Sequence, residues 1–230
     1  MEFYTFIVNF FRQGGVFLYP IALIFAVGVA IAIERFIYLT KETIGNRNLW
    51  DDIVPYLQSG NFKQAVARIS DSGASIGTVL KYGMARISSA RRRDDIEKAM
   101  EEGMLEIIPR LEKRTHYLST LANVGMLMGL LGTVVGLISA FGAVATANPA
   151  EKASLLAASI SVAMNNTASG LIVAITLLLS NMFLETKTTR LIDSLEIAAV
   201  KFLNAVTERS GGEGPAPAAA PPRGAAPRMA

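Results

Sequence analysis

Three long runs of the chain carry no Asp, Glu, Lys or Arg: residues 13–33, 117–150 and 153–184. A helix rises 1.5 Å per residue, so about 20 mostly apolar residues cross about 30 Å of hydrocarbon. All three runs meet that length, and the last two are long enough to continue as helices beyond a bilayer. The one substantial polar region, residues 41–116, places its apolar residues at helical spacing. It predicts helices over residues 49–57, 62–69, 76–87 and from Arg93 onward, with Gly45, Pro55, Gly60 and Gly73 as breaks. From Arg93 the pattern passes through Leu105, Ile108 and Leu111 into the second span, with a kink expected at Pro109. A turn is expected at Asn148-Pro149, and the third span should continue as a helix through Leu191, Leu195 and Phe202.

The fold class read from this pattern is an all-α membrane protein, with three transmembrane helices and long helical cytoplasmic extensions. Its parts are an N-terminal amphipathic segment (1–14) rich in Phe and Tyr, transmembrane helix 1 (15–40), a cytoplasmic helical region (41–116), transmembrane helix 2 (117–148), transmembrane helix 3 (153–184), a cytoplasmic helix extension (185–210) and a Pro/Ala/Gly tail (211–230). The tail lacks apolar anchors and reads as disordered and passive.

Composition and charge narrow the function. Charged residues make up 18% of the chain, against about a quarter in soluble domains. There is no Cys and a single His, and the three charge-free runs contain no Asp, Glu, Lys, Arg or His. Thiolate chemistry, metal centres and cofactor-dependent catalysis therefore find no ligands, and the chain does not read as an enzyme. Lys and Arg cluster after the first span (Arg35, Lys41, Arg47), before the second (Lys98, Arg110, Lys113, Arg114) and after the third (Lys187, Arg190, Lys201). Only Arg12 precedes the first span, and only Lys152 lies in the hairpin. The positive-inside rule then puts the N-terminus outside and the C-terminus in the cytoplasm. Met1–Phe11 holds Glu2 as its one charge and no basic n-region, so the first span reads as retained rather than cleaved. Glu34 and Arg35 read most simply as interfacial anchors, with a salt bridge to a neighbouring helix as the alternative. Arg91-Arg92-Arg93 reads as a solvated turn before the helix opened by Asp94-Asp95, and without interleaved aromatics it gives no sign of nucleic-acid binding. His116 reads as interfacial.

The second span contains Gly125/Gly129 and Gly132/Gly136, two small-xxx-small pairs that let helix backbones approach closely in lipid. The third span is unusually polar, with Asn165, Asn166, Thr167 and Ser169 at its centre, followed by Gly170. Lipid cannot satisfy these groups, so they either hold helices together or line a polar pore. Thr133 lies about 15 residues before the hairpin and Thr167 about 15 after it, both roughly 22 Å below it at 1.5 Å per residue. The candidate ion-pathway residues are Thr133, Thr167, Asn165 and Asn166. Any ion crossing here needs a carboxylate supplied by another chain.

Leu118-Ser119-Thr120-Leu121-Ala122, the run from Met128 through Gly129, Gly132, Thr133 and Gly136 to Leu137, and then Phe141 resemble the second-span signature of the ExbB/TolQ/MotA proton-channel proteins. Thr167-Ala168-Ser169-Gly170-Leu171 is similar to their third-span signature, with Asn181 near its inner end. Glu34-Arg35-Phe36 and Gly60-Asn61-Phe62 with Ala65 fit further stretches, so the resemblance covers about residues 15–205. It implies a bacterial inner-membrane, multi-pass subunit with a periplasmic N-terminus. It implies a homo-oligomer, a pentamer around two copies of an ExbD/TolR/MotB-like single-span partner that carries an intramembrane Asp, with Thr133 and Thr167 facing that Asp. Proton flow would then drive work on the cell envelope. Val162 stands where the ExbB and TolQ branches have Glu, which points to a specialised relative such as the TolQ-like subunit of a gliding-motility motor. A membrane scaffold without ion conduction is the rival reading. It would share the packing glycines but has no need of paired threonines within the membrane.

Overall fold

The computed structural model describes residues 15–87 and 92–210, with backbone alone for 208–210. The readings of the N-terminal segment, of Arg91 and of the tail lie outside the described residues. Among the described residues six helices follow one another: α1 (Leu18–Ser59), α2 (Phe62–Asp71), α3 (Ser75–Ile87), α4 (Arg93–Glu112), α5 (Thr115–Thr146) and α6 (Lys152–Ser210). The described residues contain no strand. The helical stretches Leu18–Ser59, Arg93–Thr146 and Lys152–Thr207 each hold a window long and apolar enough to cross a membrane. At 59 residues, α6 is about 90 Å long. It extends well past any bilayer and carries Leu191, Leu195, Phe202 and Leu203 buried among the polar-region helices.

Two expected breaks are absent. α1 runs unbroken through Gly45 and Pro55 to Ser59. An interior proline costs roughly 3 kcal/mol and a glycine about 1. Here Leu49, Ile53 and Leu57 are buried against α2 and α3 on both sides of the proline, and that packing overrides propensity. The helix ends where Gly60 takes the left-handed conformation (φ 77°), its N–H donating to Leu57 O while Asn61 N–H donates to Tyr56 O. Asn61 then caps α2 by accepting from the Gln64 N–H.

The break before the second span is displaced from Pro109, which lies inside α4. The chain turns at Lys113-Arg114, where Arg114 adopts a positive φ of 67°. Both members of the Glu34-Arg35 pair hold this junction. Glu34 accepts two 2.8 Å hydrogen bonds from Arg114 Nη1, and the buried Arg35 donates to the Leu111 carbonyl freed by the end of α4. These residues tie α1 to the α4–α5 junction, so the ion-pair reading replaces simple interfacial anchoring. The Arg35 guanidinium also sits 4.7 Å from the Tyr38 ring. Two turns along α1, Glu42 accepts from the Ser75 N–H (3.3 Å) and hydroxyl (2.7 Å), and the buried Asn46 accepts from the Ile76 N–H (3.0 Å). α1 thereby caps α3 from a distance.

Asn46→Leu should therefore leave a buried donor unpaired and lower stability by about 1–2 kcal/mol. Glu34→Gln, which weakens a half-exposed ion pair, should cost under about 1 kcal/mol. Thermal unfolding ranks the two variants, and faster hydrogen exchange at the Ile76 amide localises the first effect.

Candidate functional site

α5 and α6 form the most extensive helix contact, and glycine creates it. A Cβ placed on Gly129 would lie 2.8 Å from Asn166 O and 3.0 Å from Gly170 Cα. One on Gly170 would lie 2.8 Å from Gly125 O, and one on Gly136 would lie 3.0 Å from Ala163 Cβ. Gly125 faces Val173, and Gly132 faces the side chain of Asn166. Distances below 3.0 Å to backbone leave no room for a methyl group, so α5 and α6 touch backbone to backbone at the level of residues 125–129 and 166–170. Gly28 plays a similar part for α1, since its would-be Cβ falls 2.5 Å from Leu177 Cδ2. The sequence reading did not single out Gly28. Ala32, four residues on, makes a small-xxx-small pair with it that could have flagged the position, and the facing leucine reveals its role.

This close approach brings Thr133 and Thr167 together. Their hydroxyl oxygens are 3.4 Å apart, and Thr167 Oγ1 is 3.3 Å from Gly129 O. Thr133 donates to Leu130 O of its own helix at 2.6 Å. A good O–H···O bond spans 2.5–3.0 Å. The Thr167 proton is thus held loosely between two distant acceptors, while that of Thr133 is held firmly. Both residues are partly exposed, at the edge of the α5–α6 seam. Neighbouring Thr176 and Ser180 instead bond back to their own helix carbonyls at 2.8 Å. A loosely held hydroxyl beside two oxygens that keep free lone pairs can donate to a carboxylate or water, or accept from one.

The two asparagines separate. Asn166 is 3% exposed and packed against Gly132, with Oδ1 lacking a partner among the described residues. Asn165 is partly exposed, and its carbonyl accepts from the Ser169 hydroxyl at 2.6 Å. Asn166 therefore lies between the helices, and Asn165, two residues and about 200° round α6 from Thr167, is not brought to the threonine pair. Asn181 is likewise buried with an unpartnered Oδ1. Val162 packs near Gly15 at the start of α1. Among the described residues no group of three or more His, Cys, Asp or Glu is arranged to hold a metal ion.

Comparison with known proteins gives one consistent result. Residues 72–197 match the MotA/TolQ/ExbB proton channel family. A biopolymer-transport ExbB homolog of Methanothermobacter thermautotrophicus is 27% identical over 199 residues, covering 86% of this chain and 69% of the relative. An ExbB-like biopolymer transport protein of Synechocystis is 28% identical over 172 residues, covering 74% and 81%. The biopolymer transport protein exbB1 of Vibrio cholerae is 30% identical over 172 residues, covering 71% and 72%.

Proposed function

This chain belongs to the MotA/TolQ/ExbB proton channel family, and from that premise we propose that it is the channel-forming subunit of a motor in the bacterial inner membrane driven by the proton motive force. It works as a homo-oligomer, a pentamer, around a single-span partner of the ExbD/TolR/MotB kind present in two copies. Its N-terminus is periplasmic and its C-terminus cytoplasmic. The process driven is an envelope function of the TolQ/ExbB kind, and Val162 in place of Glu leaves room for a specialised relative such as a gliding-motility motor.

The observation that carries the reading is the Thr133–Thr167 hydroxyl pair. It lies within charge-free helices, at a seam where Gly129 and Gly170 leave no side chain in the way. A proton cannot rest on a threonine, whose hydroxyl neither ionises nor protonates near neutral pH. The charge-free runs offer no carboxylate, so the partner's intramembrane Asp carries the proton. Thr167 donates to that Asp when it is ionised, and both threonine oxygens can accept from it when it is protonated. The scaffold reading accounts for the glycines but leaves the loosely held Thr167 hydroxyl without a purpose.

The chain has no native cysteine, which makes the test clean. Thr167→Cys should form a disulfide with a cysteine placed next to the partner's Asp, while Ile172→Cys, an exposed residue five positions on and about 140° round the helix, should not. Equal crosslinking at both sites, or none at Thr167, would remove the partner from the threonine pair.

A further inference from the structure

A second polar site lies at the start of α5, against the interior of α6. A cavity of about 350 Å³ opens where α4 breaks into α5, lined by Glu112, Thr115, His116, Glu185, Thr188 and Thr189. Thr115 and Thr188 are each 4% exposed, and neither hydroxyl has a hydrogen-bond partner among the described residues. This is unusual for the helix concerned. Thr186 and Thr189, on either side of Thr188, both bond back to carbonyls four residues earlier. Neither the Glu112 nor the Glu185 carboxylate is paired with a cation among the described residues. Arg114, the base nearest in sequence to Glu112 after Lys113, is taken up by Glu34. Buried polar groups are ordinarily satisfied, so the two orphaned hydroxyls mark an absent ligand, and the exposed carboxylates of Glu112 and Glu185 at the cavity mouth give the charge it must carry.

The chemistry of the cavity defines that ligand. Its carboxylates call for a cation with N–H donors, and its hydroxyls and imidazole offer donors to an oxyanion nearby. Its volume equals that of about ten waters at about 30 Å³ each, more than one ion fills. Its depth is set by the sequence. His116 immediately precedes the charge-free run 117–150, and Glu185 immediately follows the run 153–184. The cavity therefore lies at the level of lipid headgroups. Anionic headgroups are recognised by basic pockets, and the two glutamates here repel them. We infer that this cavity binds the zwitterionic headgroup of an aminophospholipid, with the primary ammonium on Glu112 and Glu185 and the phosphodiester within reach of Thr115, Thr188 and His116. The headgroup would brace the α4–α5 break against α6.

The full chain, purified with the partners it retains, would be placed in nanodiscs of phosphatidylcholine mixed with either phosphatidylethanolamine or phosphatidylglycerol, and its retained lipid counted by native mass spectrometry. Phosphatidylethanolamine should be enriched over phosphatidylcholine by roughly tenfold, the factor for one charge-assisted hydrogen bond that a quaternary ammonium cannot make. Glu185→Gln should remove most of that preference. Thr188→Val keeps the shape and fold and should reduce the preference without reversing it. Equal retention of the two lipids, preference for phosphatidylglycerol, or an unchanged preference in both variants would overturn the assignment. So would a soluble amine, tested as phosphoethanolamine, that binds as tightly without lipid and with the same dependence on Glu185.

Discussion

Gly129→Leu is expected to abolish recovery of the assembled protein. The substituted side chain has nowhere to go, because its Cβ would fall 2.8 Å from Asn166 O and 3.0 Å from Gly170 Cα. Both are backbone atoms of the facing helix and cannot swing aside. The helices must separate, forfeiting the packing contacts that hold membrane helices together where lipid gives no hydrophobic drive. Overpacking in a core commonly costs 1–3 kcal/mol, and a leucine against backbone exceeds that range. Separation also pulls Gly129 O away from the Thr167 hydroxyl, so partially folded protein would lack an intact threonine pair. Gly142→Ala is the matched control, since nothing lies within 4 Å of its would-be Cβ. It should assemble like the parent. Size-exclusion profiles of the two variants in mild detergent decide the matter, and a normal profile for Gly129→Leu would mean that the α5–α6 contact is not load-sharing at residue 129.

Thr133→Val and Thr167→Val should leave assembly standing but cut work output. Valine matches threonine in shape and lacks the hydroxyl, so packing at the seam survives. An interhelical hydrogen bond in a membrane is worth about 0.6–2 kcal/mol, and the 3.3–3.4 Å contacts of Thr167 place it at the weak end. A hydrogen bond to an ionised partner carboxylate is worth about 1.5–3 kcal/mol, so losing it during ion transfer should slow turnover by about tenfold or more. Thr167→Ser returns the hydroxyl and should restore much of the rate. Thr133→Val should be the milder of the pair, because its proton is already committed to Leu130 O at 2.6 Å. The measurements are complex yield and motor-dependent activity side by side. Matched losses in both would make the threonines structural.

The sequence made the spans legible because lipid imposes a length and a polarity that few other environments demand. It made the glycine seam legible because small residues four apart have little other use in a membrane helix. What it hid was decided across long separations. Gly45 and Pro55 read as breaks by local propensity, yet Leu49, Ile53 and Leu57 bury enough surface to carry α1 through both. The proline at 109 read as the kink, whereas the turn falls at Lys113-Arg114, because Glu34 and Arg35 on a distant helix bind there. Glu42 and Asn46 gave no local sign of capping α3, about 30 residues away. The depths of Thr133 and Thr167 followed from counting residues to the hairpin. That Asn166 turns inward while Asn165 stays partly exposed depended on the rotation of α6, which no count supplies.

The most direct measurement is proton flux into proteoliposomes under an imposed membrane potential, read by a lumenal pH dye. Four samples are needed: the chain alone, the chain with its single-span partner, the complex with the partner's Asp changed to Asn, and the complex carrying Thr133→Val with Thr167→Val. The account predicts flux in the second sample and near-background flux in the other three. Equal flux in all four, or none in the second when the complex is intact, would contradict a partner-dependent proton channel and leave the chain as a membrane scaffold.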